Sequence, residues 1–335
     1  MKRLMILIIG VSVLWGGYWF VGASGLKSGV SGWLEARRDQ GWQAEWSDIT
    51  VQGFPNRFDT TLSDLALADP ETGWAWQAPF FQLLALSYKP NHVIVVWPDT
   101  QTLQTPLETL TLTGSKSQGS VVLAANTALT LERTSLVFDD LEIASDLGWS
   151  MGAEQLRLAT EPGIAANSHR IGIEAIRLRL PVALPAALGG LSGTQQPPEQ
   201  FASLSGDATV AFSAPWDRFA IEVARPQPTR VDIRKLSATW GQLNLSLAGG
   251  FDVDATGSPT GEIVIKARNW REIVDIGAQS GAIPETLLPS LIRVLELAQR
   301  FSGNAQTLDI PLRFRGGRTF FGPLPIAAAP RFVLR

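Results

Sequence analysis

The sequence predicts a mainly β protein: antiparallel sheets, closed as a sandwich or barrel or left open as a groove, behind one N-terminal transmembrane helix and with two short helices in the C-terminal half. Three observations carry that prediction. An uncharged apolar run opens the chain, short segments of alternating polarity recur beyond residue 42, and turn residues stand between those segments.

The apolar run comes first. Lys2 and Arg3 precede LMILIIGVSVLWGGYWFV, Leu4 to Val21, which as a helix spans roughly 27 Å, close to the hydrocarbon thickness of a bilayer. Leu4 and Ile8 would meet lipid, and Trp15, Tyr18 and Trp19 stand at the far end, where amphipathic rings favour the membrane–water interface. The positive start keeps the N-terminus cytoplasmic and sends the remainder outward, although Lys27, Arg37 and Arg38 weaken the bias. A cleaved signal peptide is the rival reading, since Val21-Gly22-Ala23 offers a small-residue site. The run is longer than a usual signal core and aromatics crowd the site, so residues 1–23 are expected to stay as an anchor. From 24 to 41, Leu26, Val30, Trp33, Leu34 and Arg37 recur at helical spacing, and Gly41 ends the pattern.

Residues 42–180 and 201–335 read as two β-rich modules. Thr127 to Leu131, Ile176 to Leu180, Leu243 to Leu247 and Leu308 to Phe314 each alternate apolar with polar, the mark of antiparallel sheet with one wet face. Pro311 suggests an edge strand. Asp69-Pro70, Lys89-Pro90-Asn91 and Gly316-Gly317 are turn signals. A loose theme recurs in Asp64-Leu65-Ala66-Leu67, Glu108-Thr109-Leu110-Thr111-Leu112, Asp140-Leu141-Glu142-Ile143, Gln155-Leu156-Arg157-Leu158 and Ala175-Ile176-Arg177-Leu178, too irregular in spacing for a solenoid. The Pro- and Gly-rich segment 181–200 is expected to be a loop or linker. The second module should hold helices at Trp270–Gln279, capped by Asn269, and from Pro284 to Phe301.

Composition excludes several classes of function. With 45% hydrophobic and 18% charged residues the chain can bury a large core. A net charge of -3 gives no basic footprint for nucleic acid. There is no Cys and there are two His, which removes thiol chemistry and Cys-ligated metal and leaves little for a His site.

Individual motifs point the same way. Gly148-Trp149-Ser150-Met151-Gly152 has the spacing of a nucleophile elbow, but the segment Glu154 to Leu158 behind it reads as a strand and not a helix, so a turn is expected. Asp252 to Gly257 starts like a calcium loop, yet Ile263 stands where the bidentate Glu belongs, so a hairpin connection is expected. His92 reads as a turn residue, and Asp139, Asp140 and Glu142 as a solvated strand end. No catalytic residue, cofactor or metal is predicted, and the chain is expected not to be an enzyme.

Several phrases occur together: Gly53-Phe54-Pro55-Asn56-Arg57-Phe58-Asp59, Trp76-Gln77-Ala78-Pro79-Phe80-Phe81-Gln82, Ala85 to Ile94, Asn269-Trp270-Arg271-Glu272 and Thr307 to Leu312. In these the chain resembles the alphaproteobacterial domain of unknown function 2125 family over nearly its whole length. The resemblance transfers no functional residue; the anchor and its charge bias are what make a bacterial inner-membrane protein expected, single-pass with its bulk in the periplasm. Trp240 to Leu245 and Gly257 to Ile263 are similar, by analogy, to AsmA-type envelope proteins implicated in lipid handling.

The apolar strand faces leave two functional expectations. One-sided strands with few helices to cover them must close on each other or meet something apolar. A lipid or other hydrophobic ligand would then lie on a face carrying Ile176, Leu178, Leu243, Leu245 and Leu247. The alternative is a closed structural scaffold that binds other envelope proteins.

Overall fold

The computed structural model describes residues 1–181, 200–222, 224–271 and 307–334, together with Val274, Leu288, Pro289, Ile292, Arg293, Leu295 and Glu296. The expected linker at 181–200 lies outside these residues except for its two ends. The two expected C-terminal helices fall mostly outside them too. Among the described residues the continuous helices are α1, Lys2–Asp39, and a single turn, α2, Phe219–Glu222.

Apolar composition and helical spacing merge in α1: the uncharged run and the 24–40 pattern form one helix, long and apolar enough to cross a membrane. Gly41 stops it. At φ +90° this residue takes a backbone conformation that side chains resist, and Gly41 N–H and Trp42 N–H bond Arg38 O and Arg37 O in a Schellman closure. Arg37 and Arg38 in the last turn complement the negative end of the helix.

The chain divides into two compact units, residues 1–125 with 134–148, and residues 126–133 with 149–335. In the first unit α1 packs on antiparallel strands β1 Gln43–Glu45, β2 Asp48–Gln52, β3 Arg57–Asp69, β4 Trp74–Leu86, β5 Lys89–Val96, β6 Thr100–Gln104, β7 Thr109–Thr113, β8 Lys116–Leu123 and most of β9, Leu131–Ser145. The β3–β4 hairpin is the spine. Asp69-Pro70 turns it as expected, with Gly73 N–H on Asp69 O at 2.8 Å. The next turn comes at Ser87-Tyr88, so Lys89 and Pro90 already belong to β5 and His92 is a strand residue, its Nε2 2.9 Å from Ser120 Oγ. Both spine strands change partners midway. β3 pairs with β2 through Ser63 and with β1 from Ala66, while β4 pairs with β6 through Gln77 and with β5 from Gln82.

The switch in β3 has a local cause. Asp64 is left-handed, φ 49°, and the buried positions change parity across it, from Phe58, Thr60 and Leu62 to Leu65. One such residue turns the strand over, against the two-residue alternation of a regular strand. Ser47 closes the bulge, its N–H on Ser63 O at 3.0 Å and its Oγ on the Asp64 carboxylate at 2.7 Å. The arrangement recurs at Asp140 in β9, φ 53°, with Ser115 N–H on Asp139 O at 3.0 Å and Ser115 Oγ on the Asp140 carboxylate at 2.7 Å. Asp139 and Asp140 therefore sit within a strand at a bulge rather than at a solvated strand end. Two members of the recurring theme, at 64–67 and 140–143, begin at these turnovers, while the members at 108–112 and 155–158 hold no left-handed residue.

In the second unit β10 Ser150–Pro162, β11 Ser168–Arg179, β12 Gln200–Phe212, β13 Pro228–Trp240, β14 Leu243–Val253, β15 Pro259–Arg268, β16 Thr307–Arg315, β17 Arg318–Phe321 and β18 Leu324–Ala328 form an antiparallel meander, each strand beside its sequence neighbour. Gly316 and Gly317, φ 57° and 70°, make the tight hairpin that their pairing predicts. Pro311 fits because β17 pairs with β16 only from Leu312, leaving that side of Pro311 without a ladder. Thr127–Thr130 is not a strand: Leu129 is left-handed, φ 53°, and Ala128 O accepts Arg218 N–H. Leu243 is buried, Ala267 and Leu308 pack with Trp270, Val274 and Leu295, and Phe251, Ile263 and Phe314 form a second cluster with Phe332.

Candidate functional site

An apolar opening lies within the first unit, between the second half of α1 and the face of β3 and β4. It has a volume of about 670 Å³. Its roof is α1 from Gly25 to Leu34. Its floor and wall are Leu62, Leu65 and Leu67 of β3 with Trp76, Phe81 and Leu83 of β4. Every lining side chain is apolar or aromatic, and the indole N–H of Trp76 is spent on Gln101 Oε1 at 2.8 Å.

Two sequence features make this space. On the helix, Gly25 and Gly29 stand one turn apart, and a Cβ on either would meet nothing within 4 Å. Glycine in a helix interior costs roughly 0.5–1 kcal/mol relative to alanine, so these positions are not helix-forming choices. They leave a trough that Val30, Trp33 and Leu34 close at one end. On the sheet, the turnover at Asp64 brings Leu62 and Leu65 to the same side although they are three residues apart. Both are nearly fully buried and pack with Leu34, Ala44 and Ile49. Without the bulge, strict alternation would send one of them outward.

The first half of α1 is bare: every residue from Met1 to Trp15 is exposed, with Leu4 at 62% and Ile8 at 56%. Past that stretch the helix is fastened to the first unit by its aromatics. Trp15 Nε1–H donates to Pro55 O at 3.1 Å, Tyr18 OH to Ser87 O at 2.6 Å and Trp19 Nε1–H to Arg57 O at 2.6 Å. Trp19, expected at the membrane–water interface, is buried instead. Its ring stacks on Phe58 at 6.1 Å and meets Phe54 edge-on at 5.4 Å. A Trp buries a large apolar surface only if its N–H finds an acceptor, and the loop carbonyls supply it.

The five residues expected to face a ligand lie in the second unit and do not form one surface. Ala175, Leu204, Ala238, Leu245, Ala267 and Leu308 are register partners across β11 to β16, so Ile176, next to Ala175, faces the other way with Ser203, Thr239 and Asn244. Arg177 is left-handed, φ 48°, and ion-pairs with Glu154. Beyond it Leu178 pairs with Phe201, whose ring stacks on Trp240 opposite Leu243. Leu243 is buried, Leu245 packs against Trp270 and its neighbours, and Leu247 packs against the Phe251 cluster.

The polar motifs resolve into structure. Gly148, φ 87°, makes a turn and Ser150 begins β10, with no helix behind it. Asp254 closes the β14–β15 hairpin: its carboxylate accepts Thr256 N–H, Thr256 Oγ–H and Ser258 N–H, which hold its pKa below the ordinary carboxylate value. His169 lies buried against Phe212 with Nδ1 unpartnered, and burial lowers its pKa. Among the described residues no group of three His, Asp or Glu is placed to hold a metal ion.

Comparison with known proteins agrees with the phrases read in the sequence. A family model described as an uncharacterised protein conserved in bacteria, DUF2125, matches residues 19–330. The chain belongs to the DUF2125 family. No curated protein and no solved structure matches it. The match begins at Trp19, so the buried indole, the groove and the strands of both β units of this DUF2125 chain fall within the family's extent.

The groove residues of β3 and β4 were not singled out by sequence reasoning as a site. A signal was present. Gly25 and Gly29 interrupt an apolar helical stripe at a spacing of four, and Trp76 and Phe81 sit in one of the phrases that carry the family resemblance.

Proposed function

We propose that this DUF2125 protein is a non-catalytic, single-pass inner-membrane protein whose β units lie on the periplasmic side, and that the first unit holds the apolar tail of a lipid in the groove under α1. One observation carries the reading. The groove is wholly apolar, its volume is in the range of small-molecule sites, and its roof belongs to the same helix as the apolar run Leu4 to Val21, a helix long and apolar enough to cross a membrane. Gly25 follows Val21 by four residues, roughly 6 Å along the helix, so the groove opens where the apolar run ends.

The energetics suit exchange with a bilayer. A tail moving from water into the groove gains about 0.8 kcal/mol per methylene, whereas a tail moving from bilayer to groove trades one apolar surround for another. The groove therefore holds a tail without trapping it. Lys2 and Arg3 before the span supply the charge bias for a cytoplasmic N-terminus.

The test uses full-length protein reconstituted in vesicles with a phospholipid carrying a photoreactive diazirine in its acyl chain. Crosslinks are expected on residues 25–34 and 62–83. Labelling confined to residues 4–14 would place lipid around the span alone and end the groove reading.

A further inference from the structure

The bare part of α1 is too short for a bilayer. Leu4 to Leu14 is the exposed apolar stretch ahead of the first fastening residue, and its length is roughly 16 Å against a hydrocarbon thickness of about 30 Å. Lys2 and Arg3 bound the stretch on its other side, and any tilt shortens the reach further. The missing thickness corresponds to the next turns of the helix, Trp15 to Val21. Those turns are where the Gly53–Arg57 loop and the Ser87-Tyr88 turn are fastened, through the Trp15, Tyr18 and Trp19 hydrogen bonds. A membrane deep enough to cover the apolar run meets these two segments as well.

Their chemistry matches such a place. Phe54 is 56% exposed and Tyr88 63%, beside Phe20 at 64% and Val21 at 75% on the helix. The carbonyls of Gly53, Pro55, Asn56, Arg57 and Ser87 are paired within the protein. Gly53 O accepts the N–H groups of Asn56 and Arg57, Pro55 O accepts Trp15 Nε1–H and Ser87 Oγ–H, and Asn56 O accepts Ser87 N–H. Arg57 O and Ser87 O take the Trp19 and Tyr18 donors. Irregular backbone survives at membrane depth only when its polar groups are paired in this way, whereas a loop in water has no such need. Arg57 and Lys89 flank the exposed rings, with stems long enough to carry their charges to the headgroups, and Lys89 has no carboxylate partner among the described residues.

We propose that the Gly53–Arg57 loop and the Ser87–Lys89 turn are sunk into the membrane interface beside α1, so that the first unit is seated in the bilayer surface and not held above it by a tether. Bilayer thinning is the competing way to close the gap. It would have to remove a large share of the hydrocarbon thickness, and it would leave Phe54 and Tyr88 in water. The proposal rests on α1 spanning the membrane, not on what fills the groove.

The chain has no Cys, so single cysteines are unique labelling sites. Full-length Asn56→Cys, Tyr88→Cys, Val11→Cys and Thr72→Cys are labelled with an environment-sensitive nitrobenzoxadiazole dye. They are then reconstituted in phosphatidylethanolamine–phosphatidylglycerol vesicles containing nitroxide-labelled phospholipid. Val11 reports the span, and Thr72, in the turn at the opposite end of β3, reports water. Dyes at 56 and 88 are expected to shift to the blue and to be quenched by a nitroxide near the headgroup, while Thr72 stays unquenched. Quenching at Val11 with positions 56 and 88 behaving like Thr72 overturns the proposal and leaves the anchor standing. Absence of quenching at Val11 overturns the anchor and the proposal together.

Discussion

Gly29→Leu separates the groove from ordinary packing because it should raise stability and abolish binding at once. A Cβ at position 29 meets nothing within 4 Å, so the new side chain enters open space without displacing a neighbour. Replacing glycine by leucine inside a helix gains roughly 0.8 kcal/mol in propensity, and burial of the side chain adds up to about 1.5–3 kcal/mol. Propensity alone raises the melting temperature by about 2–3 °C in a unit of this size. The four carbon atoms added exclude a similar number of tail methylenes, a loss of roughly 3 kcal/mol or about a hundredfold in affinity. The assay pairs a thermal melt in mild detergent with displacement of a fluorescent fatty acid. Leu62→Ala is the counterpart: Leu62 is buried in the floor, so its truncation costs about 2–5 kcal/mol and lowers the melt. A Gly29→Leu protein that melts lower would show that position 29 is not open, and one that melts higher yet binds the tail unchanged would place the ligand elsewhere.

Leu245→Glu puts a carboxylate against Ala267, Trp270 and Leu308, so a cost of several kcal/mol and a much lower melt are expected; an unchanged melt would mean that this face is open. His169 takes up a proton less readily when folded, because burial lowers its pKa from the ordinary 6.5. The unfolded chain binds that proton more readily, so the stability from this group is present above about pH 6.5 and lost as pH falls through the folded value. His169→Gln should flatten the fall in denaturation midpoint on that acid side, and an unaltered slope refutes the assignment. Ser150→Ala should leave the melt unchanged, and a fluorophosphonate probe should label neither protein; covalent labelling of Ser150 would overturn the turn reading.

What the sequence made legible, and what it hid, depends on the range of the interactions involved. The helix, its stop at Gly41, the Asp69-Pro70 and Gly316-Gly317 hairpins and the alternation in β14 and β16 are written in neighbouring residues, and each was readable. Side-chain facing was not, because a single left-handed residue reverses it. Asp64, Asp140 and Arg177 each break the parity of a strand, and nothing in Ile176-Arg177-Leu178 announces that its two apolar residues part. Asp-Leu at the start of two of the three repeats in the first unit was the visible trace, but its meaning depends on Ser47 and Ser115, many residues away. Trp19 shows the same limit. An aromatic at the end of an apolar run suits an interface on sequence grounds, and only the carbonyl of Arg57 makes burial cheaper.

The candidate site arises where these two kinds of information meet. Apolar spacing puts Leu26, Val30, Trp33 and Leu34 on one helix face, and that much is local. The trough exists because Gly25 and Gly29 decline to fill it, and the floor exists because the Asp64 bulge lets Leu62 and Leu65 share a side. Each feature weakens the element that carries it: glycines lower helix stability and a left-handed aspartate interrupts a ladder. If packing were the only requirement, leucine or alanine on the helix and an unbroken strand would be more stable. Two independent departures from the most stable choice open the same apolar volume beside an apolar span, and a more tightly packed helix and sheet would forfeit the space that the proposed tail site requires.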